Sequence, residues 1–79
     1  MKDDILVSRF LKNANEEVQA KIVSYKGYDL IDLRVWVQRK DGEVATRKGL
    51  TLNIELLPEL KKAVLALEKT LGKMRKTQG

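Results

Sequence analysis

Asp29 and Asp32 are the first pair of residues in this 79-residue sequence that invites a chemical reading. Paired carboxylates can act as general acid and general base, but on a strand a separation of three sends them to opposite faces. Asp41 and Glu43 flank Gly42 in a turn-like stretch, and two carboxylates fall short of the about six to eight oxygens that Ca²⁺ takes. Arg47-Lys48-Gly49 and Lys26-Gly27 set cations beside a pliable backbone. That combination suits phosphate contact, and it also describes an ordinary solvated loop. The Walker-type spacing of Gly, Lys and Ser/Thr is absent. Ser8, Ser24 and the threonines have no evident base beside them. There is no Cys and no His, which excludes a thiolate nucleophile, a zinc finger, a disulfide framework and any imidazole-based triad. The sequence therefore predicts a protein that is not an enzyme and that carries neither cofactor nor metal.

A different chemistry lies in the segment from Tyr28 to Val37. With period two, Asp29, Ile31, Leu33, Val35 and Val37 share one face, nearly all aliphatic, and this is the expected core face. The other face carries Tyr28, Leu30, Asp32, Arg34 and Trp36. A Trp beside an Arg on the solvent side has two readings: cross-strand packing of amphipathic side chains, or a platform on which bases stack. Periodicity alone leaves both open.

The elements that must position these residues follow from the pattern around them. Val18, Ala20 and Ile22 alternate with polar residues, which predicts a strand ahead of a Tyr25-Lys26-Gly27-Tyr28 turn. Asp29 to Val37 is the clearest strand, and Asp41-Gly42 predicts a hairpin into a third, Glu43 to Arg47. Gly49 permits a bend or bulge before Leu50-Thr51-Leu52 resumes extended chain. Ile5, Leu6, Val7, Phe10 and Leu11 fit either a short helix capped by Asp3 or Asp4, or an edge strand. Asn53 is a good N-cap for a helix reaching about Met74, whose stripe Leu57, Leu60, Val64, Leu67, Leu71 and Met74 is heptad-like. Pro58 requires either a distorted first turn or a regular helix that starts near Leu57. One sheet covered by the helical stripe makes two layers.

Size and charge bound the rest. Sixteen basic against eleven acidic residues give a net charge of +5. Residues 1–20 carry −1, residues 21–50 carry +3 and residues 51–79 carry +3. A surplus of this kind suggests a polyanionic partner. A chain this short, without disulfide or metal, usually gains stability by self-association. No stretch is long and apolar enough to span a membrane, and Met1-Lys2-Asp3-Asp4 does not open a signal peptide, so a soluble intracellular protein is expected.

The order of these signals is itself informative. Tyr25-Lys26-Gly27, Leu30-Ile31-Asp32-Leu33-Arg34, Trp36, Asp41-Gly42-Glu43, Arg47-Lys48-Gly49-Leu50-Thr51-Leu52-Asn53 and a helix containing Leu60-Lys61 follow one another. The succession resembles the single-stranded DNA-binding domain of the positive cofactor four family of transcriptional coactivators, over about Val18 to Leu71. The resemblance implies an α+β fold: a curved four-stranded antiparallel sheet followed by one long C-terminal helix, in a homodimer. It places a single-stranded DNA-binding domain at 16–74, after an unassigned segment at 1–15 and before a basic tail at 75–79. It implies a groove that holds strands with little sequence preference, with binding positions carried over to Tyr25, Arg34, Trp36, Arg47 and Lys48. Tyr28 offers a further stacking face, and Lys21 and Lys26 are secondary phosphate candidates. Leu60, Val64, Leu67 and Leu71 are the expected dimer seam. Family members commonly place an aromatic pair where this chain has Trp36-Val37, and the stretch from Gly42 to Arg47 is one residue shorter. With the resemblance, stacking becomes the favoured reading of the Trp36 face. The alternatives are single-stranded RNA binding, or an adaptor that docks RNA polymerase or another transcription protein. The expected location is the cytoplasm, on the nucleoid, in a prokaryote, and the nucleus in a eukaryote.

Overall fold

The computed structural model describes residues 4–78. Four strands form an antiparallel meander in sheet order β1-β2-β3-β4: β1 Ile5–Leu11, β2 Glu16–Tyr25, β3 Tyr28–Arg39 and β4 Gly42–Asn53. A single 3₁₀ turn, Ile54–Leu56, leads into the helix α1, Leu57–Gln78.

Each connection has a local cause. Tyr25 pairs with Tyr28 across a two-residue loop in which Lys26 and Gly27 both have positive φ, 50° and 83°. That is the turn whose twist matches the flanking strands. Between β1 and β2 the Asn13 Oδ1 accepts hydrogen bonds from the backbone N–H of Asn15 and Glu16 at 3.0 and 2.9 Å. The β3–β4 loop is Lys40-Asp41, closed by the pair Arg39 and Gly42, so the turn lies one residue earlier than the Asp-Gly signal predicts. Gly42 leaves it at φ 129°.

Residues 5–11, open to two readings, are a strand: Phe10 lies opposite Val18 and Ile5 opposite Ile22. Seven residues make at most two helical turns, a marginal helix, whereas the free edge of β2 offers a ladder. A cap at Asp3 lies outside the described residues, and Asp4 precedes a strand rather than a helix.

The third strand and the run after Gly49 are one strand, β4, with an irregularity. Its pairing jumps from Arg34–Gly49 to Trp36–Ala45, so Thr46, Arg47 and Lys48 stand against Val35 alone. Gly49 is required there: its φ is 154°, and a Cβ would lie 2.3 Å from the Leu33 carbonyl oxygen and 2.7 Å from the Arg34 Cα. Asn53 caps the 3₁₀ turn, its Oδ1 accepting from the Glu55 N–H at 2.9 Å. Regular helix begins at Leu57, with Pro58 in the first turn, where a missing N–H costs nothing.

The expected two-layer packing is corrected by the structure. The helix does not lie over its own sheet. Only its first turns approach, where Leu57 and Leu60 line an apolar groove with Val7, Ile22, Ile31 and Leu33. The reason is the connection: β4 passes through one 3₁₀ turn into α1, with no loop to fold the helix back. Among the described residues no apolar side chain is buried. Val64, Leu67, Leu71 and Met74 stay about half exposed or more, from 49% to 64%. The most buried residues are polar and sit on the opposite sheet face: Gln19 at 1%, Asp32 at 8% and Glu17 at 9%.

Candidate functional site

The register of β2 and β3 assembles that opposite face. Tyr25 stands across from Tyr28, Lys21 from Asp32, Gln19 from Arg34 and Glu17 from Trp36. Directly opposed residues share a face, so two tyrosines, the tryptophan, a lysine and an arginine point to one side of the sheet.

The hairpin end is open. Tyr25 and Tyr28 are 61% and 65% exposed, and the Lys26 ammonium lies 5.3 Å from the centre of the Tyr25 ring. Farther along, Trp36 is half-buried. The Lys21 Nζ sits over its ring, 3.9 Å from the centroid, a distance at which ring quadrupole and cation attract. The indole Nε1–H is buried without a hydrogen-bond partner.

Arg34 is committed to the fold. Its Nε donates to both Asp32 carboxylate oxygens at 3.2 and 3.3 Å. Its Nη2 donates to Asp32 Oδ1 at 3.1 Å and to Thr51 Oγ1 at 3.3 Å. Its Nη1 donates to the Thr46 carbonyl at 3.0 Å. The Thr46 hydroxyl in turn donates to the Val35 carbonyl at 2.7 Å and accepts from the Lys48 N–H at 3.1 Å. Arg34 and Thr46 thus hold the irregular stretch that presents Arg47 and Lys48, both exposed.

Lys48 does not join the aromatic residues. It lines a groove with Val18, Leu33 and Val35 on the aliphatic face, and its Nζ reaches Glu16 Oε2 at 3.9 Å. The Glu16 carboxyl is held below its ordinary range first by the Asn13 side-chain hydrogen bond, which outweighs the opposing effect of burial, and then by Lys12 and Lys48. The eight expected contact residues therefore divide. Tyr25, Tyr28, Trp36, Lys21 and Arg34 share a face, Lys26 lies in the adjoining turn, Arg47 stands exposed in the irregular stretch of β4, and Lys48 reaches across the other side.

Sequence reasoning misses the cluster beside Trp36. Gln19 Nε2 donates to Glu17 Oε1 at 2.8 Å and to Glu43 Oε2 at 3.1 Å, and Gln38 Nε2 donates to Glu43 Oε1 at 3.3 Å. The Arg9 guanidinium lies 3.8 Å from Glu17 and 3.7 Å from Glu43. The Glu43 carboxyl is accordingly held below its ordinary range, first by Gln19, then by Gln38, with Arg9 and Lys21 assisting against burial. Only the strand register reveals this cluster; the alternation Glu17-Gln19-Lys21 is its one trace in the sequence. The face is thus polar along its length: aromatic and basic at the hairpin, carboxylate-rich beyond Trp36.

Comparison with known proteins bears on this arrangement. Residues 12–63 match the family model described as transcriptional coactivator p15 (PC4). The fold is similar to that of a PC4 homologue from Burkholderia pseudomallei in two crystal forms. For the orthorhombic form the TM-score is 0.77 at 25% identity, covering 86% of this chain and 93% of that one. For the tetragonal form it is 0.76 at 24% identity, covering 84% and 98%. A bacteriophage T5 homologue of PC4, implicated in recombination-dependent DNA replication, shares the fold with a TM-score of 0.62 at 18% identity, covering 94% of this chain and 88% of its own. No curated protein sequence matches the chain.

Proposed function

The chain belongs to the PC4 family of transcriptional coactivators, and from that premise we propose that it is a homodimeric, sequence-tolerant single-stranded DNA-binding protein with a coactivator-like or nucleic-acid-maintenance role. The observation that carries the reading is the single sheet face on which β2 and β3 gather Tyr25, Tyr28 and Trp36 with Lys21 and Lys26 beside them. Bases stack on exposed rings whatever their identity, and nearby ammonium groups meet the phosphates between them. The two tyrosines are open to a strand as they stand. Trp36 becomes available when Lys21 swings from its ring to a phosphate, an exchange of one electrostatic partner for another. Arg34 serves by bracing β4, and Arg47 is the cation that the braced stretch offers.

Self-association is part of the proposal. A chain that buries no described apolar side chain lacks the main driving force for folding. A second copy supplies it if the stripe Leu60, Val64, Leu67 and Leu71 and the aliphatic sheet face are covered together.

The protein has one tryptophan, so its fluorescence reports this site. Titration with oligo(dT) should quench and shift the emission in step with binding measured by anisotropy. Oligo(U) and a blunt duplex should bind more weakly. Tight oligo(dT) binding with unaltered emission would remove Trp36 from the contact surface, and equal affinity for duplex would remove the single-strand reading.

A further inference from the structure

Positive charge is denser on the helix than on the sheet. Residues 1–59 hold ten basic and ten acidic side chains, whereas residues 60–78 hold six basic and one acidic. By element, Ile5–Asn53 carries nine basic and six acidic side chains, net +3 over 49 residues, and α1, Leu57–Gln78, carries six basic and two acidic, net +4 over 22.

On the helix that surplus is ordered. At 3.6 residues per turn, positions seven and eleven apart return to within about 20° of the starting direction. Lys62, Lys69 and Lys73 thus form one row, and all three are exposed. The row lies on the far side of the helix from Leu60, Val64, Leu67 and Leu71, so covering the apolar stripe leaves it in water. Glu59 reaches Lys62 at 3.2 Å, an exposed pair of small energetic weight. The row is about 16 Å long at 1.5 Å per residue. The helix carries no aromatic residue.

We infer that the lysine row of α1 is a second nucleic-acid contact, which takes the phosphate backbone of a duplex. Cations in a straight row without a stacking side chain suit a partner whose phosphates are regularly spaced and whose bases are already stacked inside. An unpaired strand presents its bases as well, and these find their platforms on the sheet. The two surfaces then divide the work: the sheet face takes unpaired bases, and the helix row takes the phosphates of paired strands. The inference rests on the nucleic-acid reading above only for the identity of the polyanion.

The test compares the full-length protein with the triple variant Lys62→Gln, Lys69→Gln, Lys73→Gln, using anisotropy with a blunt duplex and with oligo(dT) at several salt concentrations. The wild type should bind the duplex in low salt. The variant should lose about tenfold or more in duplex affinity, and its salt slope should flatten by about 0.9 per lost contact. Its oligo(dT) affinity should stay within about twofold of wild type, and Lys→Arg at the same three positions should restore duplex binding. Equal duplex affinity of variant and wild type overturns the inference. So does an equal loss on both ligands, which makes the row a diffuse field for the strand on the sheet. Absence of duplex binding by the wild type, or displacement of duplex by polyglutamate more readily than by unlabelled duplex, also overturns it. If oligo(dT) leaves Trp36 emission unchanged while duplex binding still depends on the row, the sheet reading fails and this one stands.

Discussion

Trp36 and Arg34, two residues apart on one face of β3, have opposite duties in the proposed function. We predict that Trp36→Ala weakens oligo(dT) binding by about 1–3 kcal/mol, the usual worth of a base–aromatic stack, with a salt slope close to wild type because stacking releases no counterions. Thermal melting run beside the titration separates this from a packing role, in which melting falls and binding follows it. Arg34→Ala should behave differently. It leaves the Asp32 carboxylate, 8% exposed, without its guanidinium, and stability should drop by about 2 kcal/mol or more. Denaturant unfolding measures this; a normal midpoint with lost oligo(dT) affinity would make Arg34 a phosphate contact instead. Gly49→Ala should be the most damaging single change, about 3 kcal/mol or more, because the methyl meets the β3 backbone. The alternation of β3 was enough to place Trp36 and Arg34 on one face. It could not show that Arg34 is occupied, because two of its four acceptor atoms, the Thr46 carbonyl and the Thr51 hydroxyl, come from β4 twelve and seventeen residues away.

At the scale of elements, β2, β3 and the tight Lys26-Gly27 turn were legible because alternation, β-branched residues and Gly all agree there. The segment Ile5 to Leu11 was not, since a short apolar run satisfies helix and strand alike and only the vacant edge of β2 decides. The helix was legible as a helix, but its stripe says only that something covers it, not which sheet. Strand β2 and the start of β4 are also tied by carboxylates, and this gives a pH dependence. Glu16 and Glu43 are both held below their ordinary value of 4.5. The stability they contribute is therefore present above that value and is lost as pH falls through their lowered values. The contribution of these two groups to the melting temperature should stay constant between pH 6 and about pH 5, then decline below 4.5. Glu43→Gln should shrink that acid decline while leaving Glu16's share. An acid limb identical to wild type would show that Glu43 does not report folding.

For the whole molecule the central prediction is the dimer. Light scattering at micromolar concentration should give twice the mass of one chain. Leu67→Asp, at a position 64% exposed in the single chain, should split it, whereas the same change on an ordinary solvent face would be nearly neutral. A folded Leu67→Asp protein of dimer mass would remove the helix from the seam. The net charge was countable in the sequence, but its greater density on α1, and the row that Lys62, Lys69 and Lys73 form there, became apparent only once the helix boundary was known.

The bare apolar surface of the single chain has a consequence for the protein's lifetime. When the core is shared between two copies, folding is a second-order reaction, and dilution works as a denaturant. In the proposed dimer a freshly made chain would stay open to proteases until it met another, so its survival would rise with its own abundance. Degradation would then be fastest when the protein is scarce, and the level in a cell would tend toward either very low or well established. A pulse-chase comparison at low and high expression, with Leu67→Asp as the permanently unpartnered reference, measures that dependence directly.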